Sequence, residues 1–456
     1  MNTTHSKTRS IRDNRALAGV FAGGILAAGC VTDPELDDLG TQESATNVAC
    51  IGTKTLTTQA SIDALAGCTS LDDVTIDDVT LNDRTADIVS LRALGSVRTI
   101  TRLNIVDAPA LTSLVGLAAV TSISSLTISH TGVVSVAALA SLGNVHDIEI
   151  SYNPSLASLS GFSSLNLAGA LSILDNDSLI DLTGLERIQT TGGMLAIRYN
   201  DRLRSLRGLD NLTTLGGALY VESNNALATL AGLERLQAVA GVGLYIYGNP
   251  ALTTTDSMRS FTTAGTVLNP WIGGTIQIQN NASLRDIVGI HQVTRVSGHL
   301  KVLDNALLPE FDGFRPTWNG VSWTQVPSGM ALREVDGDIE ISNNSSLTKP
   351  QLASLQFVRH SVIISDNPML TEITWPSAAG IGAPLTAGSP SGTVTFARNA
   401  KLSTISMQTM AFDSIGVDNS ATSQELFIQD NPLLGPGSAA AFANQVEESS
   451  AGFSGN

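Results

Sequence analysis

Apolar and polar residues repeat along this chain at a regular interval. The stretch LAIRYNDRLRSLRGL, residues 195–209, is preceded 24 residues earlier by LSILDNDSLIDLTGL and followed 24 residues later by LYVESNNALATLAGL. In each copy, two apolar residues separated by one position open the unit, which is the pattern of one buried face of a short strand. The next apolar residues come at spacings typical of turns. The pattern therefore predicts a short strand followed by bends in each period, without a long helix.

The strand-like unit begins thirteen times, at residues 103, 126, 148, 171, 195, 219, 244, 276, 300, 339, 362, 394 and 426. The interval is 22 to 25 residues for the first six steps and is longer and irregular afterwards. The residue two positions after each start is apolar, and the residue eight positions after it is Leu in twelve cases and Val134 in the other. Repetition of this kind is typical of a solenoid, in which each unit buries its apolar face against its neighbours.

Asparagine marks the turn that follows most of the predicted strands. It stands five residues after the start in eleven of the thirteen units: Asn153, Asn176, Asn200, Asn224, Asn249, Asn281, Asn305, Asn344, Asn367, Asn399 and Asn431. Asparagine tolerates left-handed backbone angles, and its amide can bond neighbouring backbone groups. In stacked coils these amides would form a ladder that satisfies each buried side chain. The predicted fold is mainly β, a parallel β-solenoid of about 13 or more coils spaced about 4.8 Å apart.

Composition agrees with thin stacked layers and narrows the range of partners. Apolar residues make up 43% of the chain but aromatic residues only 4%, so the core consists mostly of aliphatic side chains. The net charge of −16 argues against binding to nucleic acid, because phosphate neutralisation requires clustered Lys and Arg. It also argues against a polybasic grip on anionic lipid.

The first residues have the features of an export signal. Basic residues from Lys7 to Arg15 precede the apolar run ALAGVFAGGILAA, which is too short for a transmembrane helix. The run ends in LAAGC, which resembles the bacterial lipobox, whose cysteine becomes the lipidated first residue of the mature protein. Residues 1–29 are thus predicted to be a lipoprotein signal peptide and Cys30 the lipidation site. The alternative is an ordinary signal peptide with an incidental cysteine.

The segment after Cys30 is predicted to be a tether, and the other two cysteines a disulfide. Residues 31–49 carry five carboxylates, no Lys or Arg and no apolar period, a composition typical of solvated, disordered chain. Val31 rather than Asp follows Cys30, which looks like outer-membrane sorting, so we expect an exported protein anchored to the bacterial envelope at the cell surface. In an oxidising compartment, Cys50 and Cys68 are expected to pair.

The stretch CIGTKTLTTQASIDALAGCTSLDDVTI, which begins at Cys50, resembles the opening of a receptor L domain, and the following coils are similar to that family up to about residue 435. The resemblance implies a right-handed β-helix. The later cysteine pairs of the family are absent from this chain. The alternative fold is a leucine-rich repeat horseshoe. In that repeat the Leu stands two positions after the Asn, whereas in this chain it stands three positions after the Asn, as in NDRL.

The pattern predicts four segments beyond the tether. Residues 50–102 would form an N-terminal cap and the first coils, and residues 103–252 the regular coils. Residues 253–435 would form coils with long loop insertions, and residues 436–456 a C-terminal cap that includes the helix-forming stretch GSAAAFANQVEES.

No set of residues with a catalytic or metal-binding spacing is found in the sequence. The six histidines lack a metal-ligand spacing, and no nucleophile elbow or phosphate-binding loop is present. Aspartate precedes the ladder asparagine in four units, which suggests calcium, but an aspartate at a turn needs no metal. We therefore predict no cofactor, no metal and no enzymatic activity.

The insertions after residue 252 contain all four tryptophans, Trp271, Trp318, Trp323 and Trp375. Tryptophan is the residue type most enriched at interaction hot spots. One hypothesis is a binding surface for an extracellular or envelope protein or a glycan. The other is that each Trp covers apolar coil edges exposed by its own loop. The predicted function is non-catalytic recognition; the alternatives are a structural envelope spacer or adhesin and, less favoured, a polysaccharide-acting enzyme, since β-helices often host carbohydrate chemistry.

Overall fold

The computed structural model describes most of the chain from residue 50 onwards. The described residues are 50–78, 87–167, 169–265, 273–311, 317–318, 323–324, 331–350, 352–377, 380–381, 392–407, 426–437 and 451–454. The predicted signal peptide, Cys30 and the acidic tether lie outside this part of the chain, and so do Trp271 and the predicted C-terminal helix from residue 438 onwards.

The fold is built on one long parallel β-sheet. Its strands follow the chain order, each paired in parallel with the next: Lys54–Leu56, Ser70–Asp77, Thr99–Val106, Ser122–Ser129, Asp147–Ser151, Leu171–Leu174, Leu195–Arg198, Leu219–Glu222, Gly243–Tyr247, Thr275–Gln279, Leu300–Leu303, Ile339–Ser342, Val362–Ser365, Val394–Ala397, Leu426–Gln429 and Ala451–Ser454. The thirteen predicted starts pair with one another along the whole sheet, as Leu195 does with Leu171 and Leu219. The predicted parallel β-solenoid is confirmed.

A second column of short parallel strands forms another side of each coil. It continues the N-terminal ends of the long strands through Asn144–Val145 and Asn166–Leu167, and then forms a separate sheet of Thr190–Thr191, Thr214–Leu215, Ala238–Val239, Thr263–Ala264, Arg295–Val296, Glu334–Val335, Phe357–Val358 and Gly380–Ile381. Short 3₁₀ turns stack on a further side, at Arg92–Ser96, Val115–Leu117, Ala137–Leu139, Ser160–Phe162, Asp256–Met258 and Val288–Ile290. Each period is therefore strand and bend, as the apolar spacing predicted.

Two further strand pairs come from the region of the insertions. Glu372–Trp375 pairs in parallel with Thr404–Met407, and Thr317–Trp318 pairs antiparallel with Trp323–Thr324. In the described part of the chain, no helix is long and apolar enough to cross a membrane.

The apolar positions of the repeat form one continuous core inside the coils. In the coil that begins at residue 195, Leu195, Ile197 and Leu203 are 1% exposed or less. Burying each such side chain stabilises the fold by roughly 1.5–3 kcal/mol before the entropy of ordering the chain is counted. Because every coil is one layer thick, this core depends on contact between neighbouring coils.

The corner after each long strand has a left-handed residue, but this residue is not the asparagine. In all thirteen units the residue four positions after the start has a positive φ; these are Asp107, His130, Tyr152, Asp175, Tyr199, Ser223, Gly248, Asn280, Asp304, Asn343, Asp366, Arg398 and Asp430. Nine of them are Asp, Asn, Ser or Gly, and Asp, Asn and Gly adopt this conformation at low cost. The sequence interpretation that the ladder asparagine turns the corner was thus wrong by one residue. The aspartates that suggested calcium occupy this turn.

A glycine column lets neighbouring coils approach closely. Gly208 has a φ of 108°, and a Cβ placed on it would lie 2.0 Å from the carbonyl oxygen of Leu182 in the preceding coil. Gly184 and Gly232 have the same arrangement. The predicted glycine corner is present, and it requires glycine for its backbone angle as well as for space.

The N-terminal end is closed by a short helix and a disulfide. The helix, Gln59–Asp63, is capped by Thr58, whose side chain accepts a hydrogen bond from the Ser61 backbone N–H. Cys50 and Cys68 form a disulfide bond with their Cα atoms 5.6 Å apart, as predicted. At the other end, Ala451–Ser454 pairs with Leu426–Gln429, so a strand from the predicted cap region lies beside the last repeated coil.

Candidate functional site

The asparagine ladder holds eleven of the thirteen corners from the inside. All eleven ladder asparagines are fully buried. The Asn200 amide donates to the carbonyl oxygens of Arg198 in its own coil and of Ile173 in the preceding coil, at 3.0 and 3.1 Å. Its Oδ1 accepts from the backbone N–H of Asn176 at 3.0 Å. Every polar atom of the side chain is used between coils, so these residues are scaffold and are closed to a ligand.

The outer face of the long sheet carries all the tyrosines of the protein. Residues one and three positions after each start point away from the core, and the left-handed residue follows at the corner. The five tyrosines stand at these positions: Tyr152, Tyr199, Tyr220, Tyr245 and Tyr247. Four of them lie in the three consecutive coils that begin at residues 195, 219 and 244.

Two of these tyrosines and an arginine form a stack across three coils. Tyr220 and Tyr245 are register partners on adjacent strands, and their rings stack with centroids 4.8 Å apart and planes at 13°. The guanidinium of Arg198 lies 4.2 Å from the centroid of the Tyr220 ring, on the neighbouring coil. A cation over an aromatic face is attracted by about 0.5–1 kcal/mol at an exposed site. The stack therefore favours one orientation of these three side chains.

A carboxylate joins the stack to the corner. Glu222 forms an ion pair with Arg198, with 3.1 Å between Nε and Oε2, and its Oε1 accepts a hydrogen bond from the Tyr199 hydroxyl at 3.3 Å. Tyr199 itself is 46% exposed. We call the six residues Arg198, Tyr199, Tyr220, Glu222, Tyr245 and Tyr247 the tyrosine surface.

The hydroxyls of Tyr199 and Tyr245 stay protonated well above neutral pH. Partial burial, with the nearby Glu222 carboxylate, raises the pKa of Tyr199 above its usual range. Partial burial, together with the neighbouring Tyr220, also raises the pKa of Tyr245. These two hydroxyls already donate within the protein, to Glu222 and to the Val242 carbonyl oxygen, so the surface offers mainly aromatic rings on rigid strands. Among the described residues, no group of three or more His, Cys, Asp or Glu side chains is placed to hold a metal ion.

A second aromatic pair lies on the same side of the long sheet. His130 and Tyr152, which occupy the corner in adjacent coils, stack with centroids 4.5 Å apart and planes at 17°. Tyr152 is 40% exposed.

One of the four predicted tryptophans is a core residue. Trp375 is fully buried, and its indole N–H donates to the carbonyl oxygen of Leu355 at 2.7 Å, so it is a core residue and the binding role proposed for it is corrected. Trp318 and Trp323 are register partners in a two-stranded antiparallel hairpin. Trp271 lies outside the described residues.

The repeat predicted the three coils that carry the tyrosine surface, but it did not predict that their tyrosines form one surface. Arg198 and Tyr199 stand at variable positions between the apolar residues of the repeat, and such positions are predicted to face outward. The missing signal was positional: four of five tyrosines fall at outward positions of three consecutive periods.

No protein-family model and no curated protein matches the chain. Among solved structures, a leucine-rich repeat protein from Leptospira interrogans is 13% identical with a TM-score of 0.32, the match covering 88% of this chain and 100% of that one. A leucine-rich repeat protein from Bacteroides eggerthii is 12% identical with a TM-score of 0.29, covering 92% and 73%.

A complex of TLR13 with ssRNA13 is 12% identical to this chain with a TM-score of 0.22, the match covering 89% of this chain and 62% of that one. All three TM-scores are low. The fold assignment therefore rests on the strand pairing of this chain.

Proposed function

We propose that this protein is a non-catalytic recognition module that binds a protein partner through the tyrosine surface. The observation that carries the proposal is the concentration of four of the five tyrosines, with Arg198, on one rigid face of three consecutive coils. Tyr and Arg are the residues that most often dominate binding energy at protein interfaces, together with Trp. The ladder holds the strands beneath them in place, so little ordering entropy is lost on binding.

The test is capture of a partner from envelope extracts by the full chain and by surface variants. Tyr220→Ser with Tyr245→Ser removes the stacked rings and is expected to weaken capture at least tenfold. The matched control, Glu340→Ser with Ile363→Ser, changes the same outward positions in later coils and is expected to leave capture within twofold. Equal loss in both variants, or no captured protein that depends on Tyr220 and Tyr245, would favour a structural spacer instead.

We also propose that the module is exported and anchored to the bacterial envelope by lipid on Cys30. The support is the order of basic residues, apolar run, small residues and cysteine in the first 30 residues. Cys30→Ser is expected to move the expressed protein from the detergent phase to the aqueous phase in a phase-partition experiment. Partition unchanged by the substitution would contradict acylation at this residue.

The hairpin of Thr317–Trp318 and Trp323–Thr324 is proposed as a second, weaker contact for the same partner. The support is its two tryptophans, since Trp is enriched at interaction hot spots.

A further inference from the structure

A row of unpaired arginines crosses the coil that begins at residue 195, beyond the corner that ends the tyrosine surface. Arg202, Arg204 and Arg207 are all exposed. Among the residues that the structure describes, none forms an ion pair or a hydrogen bond with any of these three guanidinium groups. Three free arginines on one coil are unexpected in a chain with 41 acidic and 25 basic residues.

The coils on either side leave this row open. Ile180, Arg204 and Ala228 lie in one column across three coils. The Arg204 N–H donates to the Ile180 carbonyl oxygen, and the Ala228 N–H donates to the Arg204 carbonyl oxygen. The three arginines stand 7, 9 and 12 residues after the start of their coil. In this coil and its two neighbours, none of these positions holds an acidic residue: they are Ser178, Ile180, Thr183, Arg202, Arg204, Arg207, Ala226, Ala228 and Ala231. Small alanine side chains on one flank leave the guanidinium groups accessible from that direction.

We propose that this arginine row binds an acidic protein segment in extended conformation. Guanidinium groups pair with carboxylates through two parallel hydrogen bonds, and an acidic partner is the complement of the row. Arg202 and Arg204 flank the buried Leu203, so their side chains point outward with one residue between them. In an extended peptide, carboxylates two residues apart also project from one side, about 6.6 Å from each other. An extended acidic peptide can therefore present its carboxylates at the same sequence interval as Arg202 and Arg204.

This site is separate from the tyrosine surface and does not depend on the function proposed for it. The probe is a blocked synthetic peptide with glutamates at positions 1, 3 and 6 on a threonine background, which copies the intervals between the three arginines. Binding to the full chain would be measured by fluorescence anisotropy at low and physiological salt. A peptide of the same composition with three consecutive glutamates, and an oligogalacturonate with the same number of carboxylates, serve as comparison ligands.

Arg202→Gln, Arg204→Gln and Arg207→Gln together are expected to weaken binding of the spaced peptide at least tenfold, because each exposed charge pair contributes modestly and three act together. The matched control removes three exposed arginines from other coils, as Arg92→Gln, Arg187→Gln and Arg333→Gln, and is expected to change affinity less than twofold. A urea unfolding midpoint that is unchanged in both variants reports that they are folded.

Three results would overturn the proposal. The first is equal loss of affinity in the row variant and the control variant, which would indicate that any exposed arginines serve equally well and that the row is not a specific site. The second is binding of the oligogalacturonate as tight as that of the spaced peptide, which would identify the site as a polyanion or glycan surface. The third is no binding of the spaced peptide by the unchanged chain at millimolar concentration in low salt.

Discussion

The regular coils before residue 252 and the interrupted coils after it share one scaffold. From Asn153 to Asn249 the ladder asparagines are 23 to 25 residues apart, and the N···Oδ1 distances between them are 3.0–3.3 Å. After Asn249 the separations reach 39 residues, yet the distances stay at 3.0–3.1 Å. Extra residues leave the coil without changing how coils meet, because each coil contacts only its neighbours.

The outward faces of the same two regions differ. The regular coils carry Tyr199, Tyr220, Tyr245 and Tyr247 on the long sheet, whereas the corresponding face of the later coils carries residues such as Lys301, Glu340 and Ile363. Length variation and surface chemistry are therefore separate features. The sequence predicted a binding surface at the tryptophans of the insertions, whereas the aromatic cluster that the structure defines best lies where the repeat is most regular.

The ladder should be equally important in both regions. Asn200→Leu removes the acceptor of the Asn176 N–H and the donor to the carbonyl oxygens of Ile173 and Arg198. Asn344→Leu removes the acceptor of the Asn305 N–H and the donor to the carbonyl oxygens of Val302 and Ser342. Each variant is expected to lose about 3–5 kcal/mol of stability in urea unfolding, because buried unsatisfied groups cost about 1–3 kcal/mol each. The exposed Asn225→Ala, as control, should cost less than about 0.5 kcal/mol.

A loss confined to Asn200→Leu would contradict this equivalence, because it would mean that the interrupted coils are held by other contacts.

The glycine corner should be more sensitive where φ is positive, as at Gly208, than where the glycine lies in a 3₁₀ turn, as at Gly289. Gly208→Ala meets both a positive φ and the Leu182 carbonyl oxygen, whereas Gly289→Ala meets the Thr255 carbonyl oxygen at 2.0 Å without a positive φ. We expect about 3 kcal/mol of destabilisation for Gly208→Ala and about 1–2 kcal/mol for Gly289→Ala, measured by urea unfolding. Gly435→Ala, where nothing lies within 4 Å, is the control. A larger loss for Gly289→Ala would show that contact outweighs backbone strain here.

An ion pair at the corner gives the interrupted coils a small pH dependence. Arg398 donates to both carboxylate oxygens of Asp366 and thereby lowers the pKa of Asp366. Stability from a lowered carboxyl pKa is present above the unfolded value of about 3.9 and is lost as pH falls through the folded value. Arg398→Gln should therefore cost less than about 1 kcal/mol at pH 7, since Arg398 is largely exposed. A difference that persists well below pH 3 in urea unfolding would contradict the assignment to this pair.

The smallest stability effect is expected in the tryptophan hairpin. Trp318→Ala with Trp323→Ala should leave the thermal midpoint nearly unchanged and weaken partner capture less than Tyr220→Ser with Tyr245→Ser does. A loss of capture larger than that of the tyrosine variant would move the main recognition surface to the interrupted coils. A collapsed melt would instead show that the hairpin covers apolar coil edges.

Much of the scaffold could be predicted because its signals are local and repeated. The spacing of Leu195, Ile197 and Leu203 predicted strand, core and register, and Asn200 predicted the ladder, since each follows from one period. The left-handed angle of Tyr199 was not predicted, because no propensity rule assigns an aromatic residue to that corner; the closure of the ladder imposes it. The burial of Trp375 was also missed, since its partner Leu355 lies 20 residues away and depends on how a loop returns to its coil.

The central claim is that recognition uses the outer face of the regular coils. The most direct measurement is photo-crosslinking in envelope extracts with a benzophenone amino acid placed at Tyr220 or, for comparison, at Ile363 on the corresponding face of a later coil. The account predicts one crosslinked protein from position 220 that is absent or at least tenfold weaker from position 363. The same product at equal yield from both positions, or a product from position 363 alone, would contradict it.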